Sequence, residues 1–250
     1  FVSESDLDWR PVLDAWLNDR PEAQAGMLKA FFDKYLGFCT GPKEYGVLFL
    51  WLQRHTTETM KTSRIGDIQS MFRLLEGLLG RADLSESQAD VDGELERLVL
   101  FSITWALAGR LEPDDRKRFD AYLRTVTDNV PSLEGHAEGT SIYEFTVNLE
   151  TMEWETWSPP GWDYPKVEVD FSTLLVPTVD STRACFLIDI IHKQKLPVLM
   201  IGGSGTAKTS TAQIFFDSLN PEHMLLKKVN FSFATTSGMF QLGIEGELDK

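Results

Sequence analysis

The stretch LPVLMIGGSGTAKTSTAQIFF, residues 196–216, gathers the residue types that hold phosphate. A short apolar run leads into Gly202, Gly203, Ser204, Gly205, Thr206 and Ala207; Lys208, Thr209 and Ser210 then open a segment with helical spacing. Phosphate oxygens need backbone N–H groups aimed at them, and a glycine-rich turn ahead of a helix N-terminus supplies these. A lysine adds a point charge at the outer phosphates, and the hydroxyl after it suits magnesium. The candidate nucleotide-binding residues are therefore Gly203, Ser204, Gly205, Thr206, Ala207, Lys208, Thr209 and Ser210, with Thr209 as the magnesium ligand. The expected cofactors are ATP or ADP with Mg2+.

Ala207 stands where the usual pattern has glycine. If that position needs positive φ, a methyl group strains the backbone or crowds the phosphates. If it lies in the first helical turn with negative φ, alanine costs little. The otherwise intact run, lysine and hydroxyl favour the second case. Two rival readings stand beside a working site: a glycine-rich turn with no ligand, and a site that binds nucleotide with little or no hydrolysis.

Hydrolysis also needs carboxylates to hold magnesium through water and to activate the attacking water. They normally end a later apolar strand. In FLIDII, Asp189 follows an apolar run but precedes the loop and has helical flanks, so it reads as an ordinary helix carboxylate. In VEVDF, Asp170 also comes too early, and no other candidate follows Thr209. The chain also begins FVSESDLDWRPV, with neither an initiator methionine nor a signal sequence. The expectation is a piece cut from a longer chain, with no appreciable turnover by itself.

A net charge of -14 disfavours nucleic acid as a partner, because binding phosphodiesters needs clustered Lys and Arg. The apolar runs YGVLFLWL and LERLVLFSITWALAG fall short of the roughly 20 residues that cross a bilayer, so no membrane partner is expected. Cys39 and Cys185 have no metal-ligand spacing and read as reduced thiols. His55, His136, His192 and His223 form no ligand cluster.

The elements that must position the loop follow from periodicity. Residues 1 to about 125 carry apolar side chains three or four apart, as in AQAGMLKAFFDKYLGF and IGDIQSMFRLLEGLLG, and read as a helical bundle. Residues 126–140 are rich in turn formers and read as a linker. SIYEFTVNL and MEWETW alternate around a turn at Glu150 and Thr151, which predicts a β-hairpin with Trp154, Trp157 and Trp162 packed on it. STRACFLIDIIHKQ reads as a helix, LPVLMI as a strand buried on both faces, TSTAQIFFDSL as a helix, and LLKKVNFSF as a second strand. The fold class is mixed α+β and α/β. A helical bundle (1–128) leads through a linker and hairpin (129–165) into the first part of a parallel-sheet nucleotide-binding domain (166–250).

Several stretches together resemble the dynein heavy chain family, whose motor is a ring of AAA+ modules. DLDWRPVLDAWL and LVLFSITWALAGRLEPDDRKRFDAYLR resemble the start and end of the helical lid of the second module. YEFTVNLETMEWETW resembles the hairpin after it. VPTVDSTRACFLIDIIHKQKLPVLMIGGSGTAKT and NFSFATTSGMFQLGIEGELDK resemble the opening of the third module. The alanine before the lysine resembles third modules of the axonemal branch.

The resemblance implies an ATP-driven microtubule motor of the cytoplasm and cytoskeleton, in a ciliary or flagellar axoneme. Its first module does most of the hydrolysis, and the third site regulates. The implied partners are the other AAA+ modules of the same heavy chain, microtubules, and dynein intermediate and light chains. It also implies that Val176, Pro177 and Thr178 bracket adenine. The residues themselves equally allow a plain helix entry capped by Thr178 or Asp180. Arg183 reads as a surface ion pair or a group approaching a neighbouring site, and Asn230 as a residue that faces the nucleotide or does not. Outside the family, the alternatives are a stand-alone P-loop ATPase with a helical accessory domain, and a structural module that no longer binds nucleotide.

Overall fold

The computed structural model describes residues 8–37, 46–57, 62–82, 84, 91–163, 174–224 and 226–248. Cys39 and Asp170 lie outside these residues. The chain divides into two compact units, the first comprising 1–164 and 177–199, the second 165–176 and 200–250.

The first unit is a helical bundle with a hairpin packed on it. Helices α1 (Arg10–Asn18), α2 (Glu22–Leu36), α3 (Val47–His55), α4 (Arg64–Leu79), α5 (Val91–Ala106) and α6 (Pro113–Val126) follow the apolar periodicity. Pro11 sits in the first turn of α1, where its missing N–H has no partner to lose. Asp8 lies one residue ahead of the cap and accepts from the Arg10 N–H at 3.1 Å. Gly37 ends α2 at φ 74, a left-handed conformation that glycine adopts without a Cβ clash. Ser63 caps α4 by accepting from the Gly66 N–H at 3.0 Å. Helix α5 is buried on every face from Leu98 to Thr104 and also buries Leu95, as a central helix must.

A short 3-10 turn, Ile142–Glu144, precedes β1 (Phe145–Val147), which pairs antiparallel with β2 (Trp154–Thr156). Phe145 faces Thr156, and Val147 faces Trp154. Trp157 is buried against Trp105 and Phe186, with ring centroids 6.3 and 5.3 Å apart, and Trp154 is partly buried against the core. Trp162 stays exposed. Helix α7 (Val179–His192) packs on the bundle through Ile190, which is fully buried. Gly77 of α4 lets it come close: a Cβ there would lie 2.5 Å from Ile190 Cγ2 and 2.9 Å from the Ile190 carbonyl oxygen.

The segment expected to be a linker is docked. Asn129 donates from Nδ2 to the Gly93 carbonyl at 2.8 Å and to Glu96 at 3.0 Å, and accepts from Arg97 Nε at 3.0 Å. Its own carbonyl accepts from the Trp154 indole at 3.2 Å. Glu96 also accepts from Lys34 and from the Tyr35 hydroxyl. Burial alone would raise the Glu96 carboxyl, but these donors outweigh it and hold the group below the usual carboxylate range. Burial and the bond to Glu96 push Tyr35 up to about 12.

The second unit carries helices α8 (Lys208–Asp217) and α9 (Ser237–Leu248). Phe231 and Phe240 pack with ring centroids 5.3 Å apart. Two expected strands are not formed. Residues 196–201 form no strand and are not buried: Val198, Leu199 and Ile201 are all exposed. Within LLKKVNFSF, residues 226–233 likewise form no strand, and Phe231 and Phe233 are exposed. A strand exists only by pairing. Among the described residues the only sheet is the two-stranded hairpin, so nothing pairs beside either run. The described residues are mostly helical, with that one antiparallel pair.

Candidate functional site: a phosphate-binding loop

The chain turns at Ser204 and Gly205 and enters α8 at Lys208, so the run of small residues leads directly into a helix N-terminus. Gly205 has φ 77, which glycine supplies without strain. Gly202 and Thr206 lie close, since a Cβ on Gly202 would meet Thr206 Oγ1 at 2.9 Å. The Lys208 ammonium returns across the turn and donates to the carbonyls of Gly202 at 2.9 Å and Gly203 at 2.5 Å. The loop is thus curled, with its lysine tethered to its entry.

Helix α8 starts without a side-chain cap and without an acidic residue in its first turn. Its first N–H groups therefore remain for an outside acceptor, and the positive end of the helix dipole lies behind them. Thr209 and Ser210 are exposed beside them. This donor set, amides plus one ammonium and no carboxylate, fits an oligophosphate.

Ala207 departs from the expectation. It is the N-cap of α8 at φ 56, ψ 16, in the left-handed region, and not a helical residue with negative φ. The reason is geometric: the chain must reverse between Gly205 and Lys208 so that the Ala207 carbonyl can accept the first helical bond, from Thr211 N–H at 2.8 Å. An L-residue held there costs about 1–2 kcal/mol, which is why glycine is usual at this position.

A groove of about 280 Å³ runs beside the loop, and Lys208, Thr209, Lys227 and Lys228 line it with Met200 and Phe216. Sequence reasoning placed the two later lysines in a strand and gave them no role at the site. Their adjacency as a Lys-Lys pair was the available signal. Asn230 is exposed.

The three residues expected around adenine are placed as a helix entry. Thr178 is the N-cap of α7 and forms a capping box: its Oγ1 accepts from Ser181 N–H at 3.2 Å, and Ser181 Oγ accepts from Thr178 N–H at 2.8 Å. Pro177 and Thr178 belong to the first unit and Val176, which is exposed, to the second. Arg183 makes ion pairs with Glu144 and Asp180, both at 3.1 Å, joining α7 to the turn before β1. Asp189 is paired with Arg81 at 2.5 Å and Lys193 at 3.2 Å; burial raises its carboxyl, and the two cations more than reverse this. It is a structural carboxylate of α7. Among the described residues no three His, Cys, Asp or Glu side chains group as a metal site.

Comparison with known proteins accounts for both halves of the chain. Residues 28–159 match the dynein heavy chain AAA lid domain, and residues 162–250 match the P-loop containing dynein motor region. The chain belongs to the dynein heavy chain family.

Among curated dyneins it is similar to the gamma chain of the flagellar outer arm of Chlamydomonas reinhardtii, 32% identical over 254 residues. It is also 32% identical over 255 residues to axonemal heavy chain 8 of Mus musculus, and 28% identical over 258 residues to axonemal heavy chain 2 of Homo sapiens. Each alignment covers 100% of this chain and 5% of the relative, so the chain spans about one twentieth of the dyneins it matches. The hairpin with its tryptophans closes the lid segment, and the curled loop lies in the P-loop segment.

Proposed function

We propose that this chain is the nucleotide-binding segment of an axonemal dynein motor ring, joining the lid of the second AAA+ module (1–128) through the hairpin region (129–165) to the start of the third (166–250). The observation that carries the reading is the curled loop: Lys208 tethered to Gly202 and Gly203 above an uncapped helix N-terminus, in a dynein heavy chain. The amides from Gly203 to Ser210 would hold the phosphates of ATP or ADP, with the Lys208 ammonium at the outer ones. Thr209 would offer its hydroxyl to Mg2+. The bound nucleotide and its Mg2+ would supply charge that the loop senses, as a regulatory ligand. Val176, Pro177 and Thr178 would reach adenine through backbone and apolar atoms, since the Thr178 hydroxyl is committed to capping α7.

In this reading α7 is chain of the third module packed on the lid of the second, held by Ile190 and by the Asp189 and Arg183 ion pairs. Nucleotide state at the loop then acts as a regulator through differential contacts in two states of the ring. The partners are the other AAA+ modules of the heavy chain, microtubules, and intermediate and light chains, in a cilium or flagellum. Local lysines favour nucleotide, while the net charge of -14 disfavours nucleic acid as the main partner.

Equilibrium binding of labelled ATP to the intact heavy chain tests the loop, with the other modules' phosphate loops disabled. Mg-dependent binding that K208A weakens by more than about tenfold is expected, as follows from losing a charge-assisted contact. No Mg-dependent binding up to millimolar nucleotide would show that the loop is structural only.

A further inference from the structure

The side chain of Thr206 makes bonds that phosphate binding by backbone amides does not require. Its Oγ1 donates to the Gly203 carbonyl at 2.9 Å and accepts from the Lys208 ammonium at 3.2 Å. Lys208 has three N–H donors, and they reach three oxygens of the loop: Gly202 O, Gly203 O and Thr206 Oγ1. The closure is tight, because a Cβ at Gly202 would meet the same hydroxyl at 2.9 Å. The next residue, Ala207, is held at φ 56, where an L side chain opposes the backbone. A strained residue persists only when its surroundings over-determine it. Here the surroundings are few: residues 202–207 are all exposed, so packing does not hold the curl. The bonds of Thr206 and Lys208 are what remains.

We propose that Thr206 is a positioning residue, its hydroxyl clasping Gly203 to Lys208 so that the loop keeps its curl against the strain of Ala207. The proposal rests on the phosphate-binding reading given above. Its consequence is a specific coupling. Where alanine stands at 207, loss of the hydroxyl lets the loop relax toward negative φ, and nucleotide must re-form the curl on binding. With A207G the curl is unstrained, and the hydroxyl becomes dispensable. A residue that merely contacted nucleotide would show no such dependence on its neighbour.

The test measures Mg-ATP and ADP affinity in the intact heavy chain, with the other phosphate loops disabled, for T206V, T206S, A207G and T206V/A207G. T206V keeps the side-chain shape and removes the hydroxyl. It is expected to weaken binding about five- to tenfold, the size of one hydrogen bond, while T206S retains most of the affinity. Measured against A207G, the added T206V is expected to cost less than about twofold, so that the two substitutions are non-additive. Amide exchange across residues 202–208 in the nucleotide-free protein should quicken in T206V and not in T206S. Unchanged affinity and exchange in T206V would overturn the proposal, as would an equal loss in both backgrounds. Absence of binding in the unsubstituted protein would instead remove the phosphate-binding reading; the exchange measurement would still show whether the hydroxyl holds the loop.

Discussion

Phe32 in the bundle is fully buried, with the rings of Trp16 and Phe72 at centroid distances of 6.0 and 5.8 Å, whereas Phe233 in the loop-bearing unit stands fully exposed at 106%. The contrast runs through both units. The bundle owes its shape to burial: side chains from all six of its helices meet in one core, with the hairpin and α7 packed on it. The loop owes its shape to backbone conformation and a few hydrogen bonds, among residues that burial scarcely touches. A curled glycine-rich loop can therefore be complete in its own geometry while, among the described residues, the apolar runs on either side of it, 196–201 and 226–233, pair in no sheet.

The largest effects should separate the two units. F32A should destabilise the bundle by about 3–5 kcal/mol, the cost of an aromatic-sized cavity, in denaturant unfolding followed by tryptophan fluorescence. F233A should shift the same transition by less than about 0.5 kcal/mol. Similar losses from the two would mean that Phe233 is buried in solution and that the contrast is false.

A smaller effect is expected where α7 meets α4. G77A forces a methyl group to within 2.5 Å of Ile190 Cγ2 and 2.9 Å of its carbonyl oxygen. The side chain of Gln194 can swing away, but backbone cannot, so about 1–3 kcal/mol of stability should be lost. Proteolysis should speed near α7 before it does in α5. Unaltered cleavage there would show that the close approach does not hold α7 to the bundle.

The most modest expectation concerns pH and also belongs to the bundle. Glu96 and Asp189 have depressed folded pKa values, so they contribute stability above the ordinary carboxylate range near about pH 4, lost as pH falls through their lower folded values. Tyr35 works in the opposite sense: raised to about 12, it favours the folded state below its ordinary value near about 10 and loses that contribution between the two. Urea midpoints should decline on both sides, and E96Q should flatten the acid limb. An acid limb unchanged by E96Q would remove Glu96 as the anchor of the docked segment.

Much of the bundle was legible because its signals are short-range. The apolar spacing in α2 and α4, Gly37 as a stop and the alternation around Thr151 each depend on a few neighbouring residues. The docking of residues 127–131 was not legible. Asn129 looks like any turn former, and its partners Glu96 and Arg97 lie more than thirty residues away in sequence. The candidate site divides the same way. Gly202, Gly205, Lys208 and Thr209 were recognisable by type and order as candidates for a phosphate loop, and they lie on one curled turn and the helix start after it. The Thr206 clasp and the groove lysines were missed, since a hydroxyl in a loop and a Lys pair in an apolar run have many bland uses.

By itself the sequence determined which residues could meet a phosphate, the order in which they come, and the period of the helices before them, because these are properties of adjacent residues. Folding decided the sign of φ at Ala207, the docking of Asn129 and the exposure of 196–201. The last two depend on partners that chain order does not supply, Glu96 for Asn129 and a neighbouring strand for an apolar run, while the first depends on hydrogen bonds within the loop. A backbone torsion is soft until such a partner fixes it, and apolar surface is buried only where another surface meets it.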